Sequence, residues 1–153
     1  TDTMAKVVKK SNMPTLVVTK SYQKVEKVLV AVDESLAAAR TLQWFIHLQP
    51  FGTDLSFELV NVNEGKTDIS LKDSNLLLDL TEAYLKSHGF TDINKIVLNN
   101  GTPGELLHKH QKWIGADLFI LGAHSMSAIR RMTFGSTTHH LVTNSDVPLF
   151  MCH

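Results

Sequence analysis

The residues best placed to do chemistry lie in one stretch. Asp117 to Leu121 is a short apolar run that ends at Gly122-Ala123-His124-Ser125, and nine residues separate Ser125 from Gly135-Ser136-Thr137-Thr138. Glycine lets a backbone turn with positive φ and lets an anion approach its amides. A helix opening at Gly135-Ser136 would aim unsatisfied N–H groups and the positive end of its dipole into the same space. That is the layout of a phosphate cradle, although neither the Gly-x-Gly-x-x-Gly nor the Walker pattern is present. Asp33 ends another apolar run, Lys27 to Val32, where its carboxylate can cap a following helix or meet a ligand. Arg130 and Arg131 fall between the two glycine anchors, where a cation can neutralise phosphate, with at least one of them expected on the solvated surface.

Other chemistries find less support. His108-x-His110 and His139-His140 invite a metal reading, but residues one or two apart on a helix do not share a face. These histidines are therefore expected to be exposed or hydrogen-bonded. Hydrolysis would need a nucleophile, a base and an oriented water, and no Ser/His/Asp or paired-carboxylate arrangement is legible. His124 is the titratable side chain within the expected loop itself, and the chain does not read as an enzyme.

Composition narrows the partners. The 153 residues are 43% hydrophobic and 20% charged, enough for one well-buried core. Fifteen basic and fifteen acidic side chains cancel, so the long-range field that draws proteins to DNA or RNA is missing and no nucleic-acid partner is expected. No apolar run approaches the roughly 20 residues needed to span a bilayer, and the Lys-rich start lacks a signal peptide's apolar centre. Cys152 is the one cysteine, excluding an intrachain disulfide and suiting a reducing, cytoplasmic setting, with a small buried side chain as its expected role.

The elements that must position these residues alternate from Lys27 onward. Lys27 to Asp33 reads as a strand buried on both faces. Ser35 is a candidate N-cap for a helix carrying Leu36, Ala39, Leu42, Phe45 and Ile46, stopped by Pro50 and Gly52. Leu55 to Val62 is a second strand. Ile69 to Gly89 is the longest helix, with Leu76, Leu77, Leu80, Ala83 and Tyr84 as its apolar stripe and Gly89 as its cap. Ile93 to Leu98 is a third strand, and Thr102-Pro103 with Glu105 forms a capping box for a helix ending near Gly115. Leu118 to Leu121, a helix from about Ser136 to Asn144, and Pro148 to Cys152 complete the series. Such alternation predicts an α/β fold, a parallel sheet with helices on both faces, and a ligand site beyond the carboxyl ends of the strands, in the loops after Asp33, Val62 and Gly122.

The first twenty residues fit no unit of that series. Val8 matches Val142, Ser11 matches Ser145 and Pro14 matches Pro148, all at one offset (148 − 14 = 134). Residues 1–20 thus read as a helix and strand copied from the end of the chain, 21–26 as a linker and 27–153 as the main domain, cut or descended from a tandem; the alternative is an unrelated amphipathic helix followed by an edge strand. An unpaired Thr15 to Val18 strand would be an aggregation liability, so it is expected to join a sheet at the edge of the fifth strand, within the chain or in a neighbour.

Val30-Ala31-Val32-Asp33-Glu34-Ser35, Val60-Asn61-Val62, and Gly122-Ala123-His124-Ser125 with Gly135-Ser136-Thr137 together resemble the universal stress protein family, over nearly the whole chain. The resemblance implies a Rossmann-like five-stranded parallel sheet in the order 3-2-1-4-5 and pairing of domains through the fifth strand, as a homodimer or an intramolecular pseudo-dimer. It implies ATP or AMP as ligand, accompanied by Mg²⁺ in some states, a role in stress response, and at most a weak ATPase activity. By the same resemblance Ala31 and Asp33 face the adenosine, Val62 packs on the adenine, and Leu121 and Gly122 approach the ribose and first phosphate. His124 and Ser125 form the loop, and Gly135, Ser136 and Thr137 meet the phosphates. Ser125 stands where nucleotide-binding members have their second glycine. A side chain there costs roughly 1 kcal/mol if φ must be positive. A nucleotide-free dimerisation module is the alternative that Ser125 and the duplicated tail favour.

Overall fold

Asp117 shows how the chain is assembled: its carboxylate accepts the backbone N–H groups of Glu26 and Lys27, at 3.0 and 2.9 Å, and so fixes where the first central strand begins. The structure, a computed structural model, describes residues 11, 13–64, 68–123 and 136–153. The helix expected before Thr15, and with it Val8, lies outside the described residues. So do His124, Ser125, Arg130, Arg131 and Gly135.

In chain order the elements are β1 (Thr15–Val17), β2 (Lys27–Ala31), α1 (Leu36–Leu48), β3 (Ser56–Val62), α2 (Asp68–Ser87), β4 (Ile93–Leu98), α3 (Pro103–Ile114), β5 (Leu118–Gly122), α4 (Ser136–Asn144) and β6 (Leu149–Cys152). One sheet holds all the strands in the order β1-β6-β5-β2-β3-β4. β2 to β6 are mutually parallel, which is the expected 3-2-1-4-5 arrangement of the main domain, and β1 adds a sixth strand antiparallel to β6.

Alternation along the strands builds two cores, because successive side chains leave a strand on opposite faces. Val28, Val30, Phe57, Leu59, Leu118 and Ile120 point to one face, where α1 and α2 cover them with Phe45, Ile46, Leu78 and Leu85. Leu29, Val60, Phe119, Leu121, Leu149 and Met151 point to the other, against Leu107 of α3 and Leu141 of α4. Cys152 is buried, and burial pushes its thiol pKa up.

Local signals explain most boundaries. Ser35 caps α1 by accepting the Ala38 N–H at 3.1 Å, and Gln49 ends it in the left-handed region. Gly115 ends α3 at φ 68°, where a residue with a Cβ would be strained. At Thr102 the cap differs from the expected box, since its hydroxyl donates to the Glu105 carboxylate at 2.8 Å rather than accepting a backbone N–H. The stripe expected on α2 is met in part: Leu77 and Tyr84 pack against the core, but Leu76 and Leu80 are 58% and 60% exposed, while Leu78 and Leu85 are buried. Leucines surround this helix, so their spacing alone does not fix which face turns inward. Leu36 and Ala39 of α1 likewise face solvent, with Ala37, Ala38 and Thr41 buried in their place.

The repeat has a structural counterpart. Ser11 Oγ bonds the backbone of Met13, donating to its carbonyl at 3.2 Å and accepting its N–H at 3.1 Å. Ser145 does the same to Val147, at 2.8 and 3.1 Å. The turn before β1 and the turn before β6 are therefore stitched identically, each followed by proline and a strand.

Candidate functional site

Three strands end around one cleft. Ala31 ends β2, Val62 ends β3 and Gly122 ends β5; β2 lies between β3, to which the chain passes directly, and β5, which it reaches by crossing back from β4. Open parallel sheets leave a crevice at this point because the connections on its two sides depart in opposite directions. The crevice has a volume of about 460 Å³, within the roughly 300–1,000 Å³ usual for small-molecule sites.

Seven residues proposed from the sequence line it: Ala31, Asp33, Val62, Leu121, Gly122, Ser136 and Thr137. His124, Ser125 and Gly135 lie outside the described residues. The loop from Asp33 is rigid for local reasons. Asp33 Oδ1 accepts the Ser35 N–H at 2.8 Å, so Asp33 organises the turn into α1 while Ser35 is the cap proper. Its other carboxylate oxygen has no such tie in this turn, and the residue is exposed toward the cleft.

Gly122 is needed for a reason other than the one its sequence context suggests. Its φ is not positive. A Cβ there would lie 2.6 Å from the Ala38 nitrogen and 2.9 Å from the Ala37 carbonyl carbon, so glycine is what lets β5 pass against the first turn of α1. The same residue accepts the Thr138 hydroxyl through its carbonyl at 3.3 Å, tying α4 to the strand end. Gly122 thereby sets the distance between two helix N-termini.

Sequence reasoning missed part of the lining. Asn61 and Asn63 are buried beside the cleft, and Asn61 Nδ2 donates to the Val32 carbonyl at 2.8 Å, bracing the β2 loop from β3. Polar residues at the end of an otherwise apolar strand were the available signal. Ser74 and Leu77 come from α2, and Glu34, Glu64 and Asp73 add carboxylates.

The electrostatics are mixed. Asp33, Glu34, Glu64 and Asp73 line the cleft, with no Lys or Arg among its described lining residues. Against them stand the amino ends of α1, α3 and α4, contributing Ser35, Pro103 and Ser136 to the lining, and each carries a partial positive charge on unpaired N–H groups. An anion is favoured on the helix-end side and hydroxyl or amino donors on the carboxylate side. Such a site suits a ligand with one charged and one polar uncharged end.

A parallel α/β sheet with a cleft at its switch point is a Rossmann-like architecture, and comparison with known proteins assigns the family. The universal stress protein family model matches residues 24–153, and the chain belongs to the universal stress protein family. A curated universal stress protein from Synechocystis is 30% identical over 148 residues, which is 95% of this chain and 49% of that protein. The chain spans about half the length of the curated relatives it matches. Among solved structures, a universal stress protein from Archaeoglobus fulgidus superposes with a TM-score of 0.70 at 24% identity, covering 97% of this chain and 52% of that one. A family member from Arabidopsis thaliana with AMP bound superposes with a TM-score of 0.60 at 17% identity, covering 81% and 88%. No described helix is long and apolar enough to cross a membrane.

Proposed function

We propose that this chain binds an adenine nucleotide, ATP or AMP, in the cleft at the ends of β2, β3 and β5, and acts in stress response as a nucleotide-dependent regulator. The observation that carries this reading is the meeting of Ala31, Asp33, Val62, Leu121, Gly122, Ser136 and Thr137 in one cleft of about 460 Å³. The nucleoside lies between Ala31, Asp33 and Val62, with Asp33 Oδ2 accepting from a ribose or adenine donor. The phosphates lie toward Gly122, Ser136 and Thr137, and the family resemblance adds His124, Ser125 and Gly135 as further phosphate contacts. The AMP-bound Arabidopsis relative supports adenine as the base.

Mg²⁺ fits as the phosphates' own ion. Among the described residues no three His, Cys, Asp or Glu side chains converge to hold a metal, and Mg²⁺ is commonly held by one or two carboxylates plus substrate phosphates. Asp33, Glu34, Glu64 and Asp73 are the carboxylates in reach of the cleft. Calorimetric titration with ATP and AMP, with and without Mg²⁺, tests the proposal; absence of heat and of thermal stabilisation at millimolar nucleotide would overturn it.

The acidic lining favours a second reading, a nucleotide-free interaction module of the same family. Ser125→Gly separates the two. Binding gained only in the variant supports the second reading, and binding in the unmodified chain supports the first.

A further inference from the structure

His140 of α4 is wedged between two residues on one face of α3. A Cβ on Gly104 would lie 2.8 Å from the His140 Cβ, so the helices touch there with no spare room. One turn along, the His108 ring meets the His140 ring edge-on, with centroids 5.9 Å apart. The pair does not show in the sequence, because each histidine belongs to a different His-rich stretch and only the helix packing joins them. His108 Nε2 is buried and has no hydrogen-bond partner among the described residues. A buried imidazole nitrogen left in that state is tolerated while the ring is neutral and resists gaining charge.

The contact sits directly beneath the cleft. Pro103 and Leu107 of α3 line it, and so do Ser136, Thr137 and Thr138 of α4, the last of these tied to Gly122. Whatever parts α4 from α3 therefore moves one wall of the cleft relative to the other. We infer that the His108–His140 contact is a proton-sensitive latch between α3 and α4, closed while the His108 ring is neutral and released when it takes up a proton.

The surrounding charges agree with this. From α3, Lys112 faces His108 and opposes its protonation, as does His140 from α4, whereas Asp146 after α4 favours it. Burial is the larger cause, with Lys112 and His140 adding to it, so the His108 pKa is held below its ordinary value. Asp146 is already paired with Lys112 at 3.2 Å. Its charge is shared, so a proton on His108 would sit against Lys112 and the His140 ring largely uncompensated.

Hydrogen exchange across α4 in the full chain tests the latch without any ligand. After correction for intrinsic rates, exchange should rise about tenfold or more between about pH 7.5 and 5.5, and His108→Leu should flatten that rise. Should the leucine fail to fold, His108→Gln gives the same comparison. An equal rise in the variants, or no rise in the unmodified chain, overturns the proposal. The consequence for ligand rests on the nucleotide reading above: AMP affinity should fall in parallel with exchange in the unmodified chain only. AMP that binds at neither pH would count against the nucleotide reading, while exchange alone decides the latch.

Discussion

Leu16 of β1 pairs with Phe150 of β6, and the two are equivalent positions of the repeated segment, 134 residues apart (150 − 16 = 134). The register around them is symmetric: Thr15 faces Met151 and Val17 faces Leu149, each being the other pair with the copies exchanged. A local two-fold axis thus passes between Leu16 and Phe150. β1 occupies the β6 edge as a second β6 would, which is the geometry of an isologous contact. We propose on this basis that residues 11–18 stand in for the end of another domain of the same kind.

Removing residues 1–20 should then expose the β6 edge and drive the chain to pair with itself, Phe150 against Phe150. Light-scattering mass should double in the truncated chain at a concentration where the intact chain keeps its mass. An unchanged mass together with unchanged stability would count against an edge built for pairing. Exposed edges seek partners because their backbone N–H and C=O groups are unpaired.

Much of this architecture was legible in the sequence because each boundary carries its own chemistry. β4 and α4 fall where Ile93 to Leu98 and Ser136 to Asn144 predict them, and the strand order follows from the family resemblance. The facing of α2 was not legible: Leu76, Leu77, Leu78, Leu80 and Leu85 place apolar groups around the whole helix, and only packing chooses Leu78 and Leu85. Nor was Asp73 as a cleft residue, since its position does not differ in type from ordinary helix surface. The reason for Gly122 was likewise hidden, because a close approach of α1 is a tertiary fact.

Gly122→Ala tests that reason. The added methyl would overlap the Ala38 nitrogen and Ala37 carbonyl carbon, so α1 must shift or the strand must bend. Overpacking of this kind costs about 1–3 kcal/mol. Urea unfolding should show that loss, and nucleotide affinity should fall with it because Ser35 and Asp33 move with α1.

Asp33 separates a turn role from a ligand role. Asp33→Asn keeps an oxygen for the Ser35 N–H and should retain stability, whereas Asp33→Ala should lose about 1 kcal/mol in urea unfolding with that bond. If the carboxylate also meets the ligand, both variants lose AMP affinity in calorimetry. Affinity retained in Asp33→Asn would mean that the turn alone explains the residue.

Stability should depend on pH through His108. Burial holds its folded pKa below the ordinary value of 6.5, so the unfolded chain binds the proton more readily. The contribution is complete above about pH 6.5 and is lost as pH falls from there through the folded pKa. Urea midpoints at a series of pH values should decline on the acid side, and His108→Leu should remove that part of the decline.

The last prediction concerns a pair buried on the opposite end of α3 from the cleft. His110 Nε2 and Glu58 Oε1 lie 2.9 Å apart, with side chains only 5% and 13% exposed, and Glu58 projects from β3 into an otherwise apolar layer. Whichever group carries the proton, each is the other's partner there. Removing one leaves a desolvated polar group alone, so His110→Ala should cost about 3 kcal/mol. Replacing both, as Glu58→Leu with His110→Leu, should cost much less than the sum of the single changes, because no orphan remains. A double-mutant cycle by urea unfolding measures the difference, and additive single costs would show that the two side chains act independently.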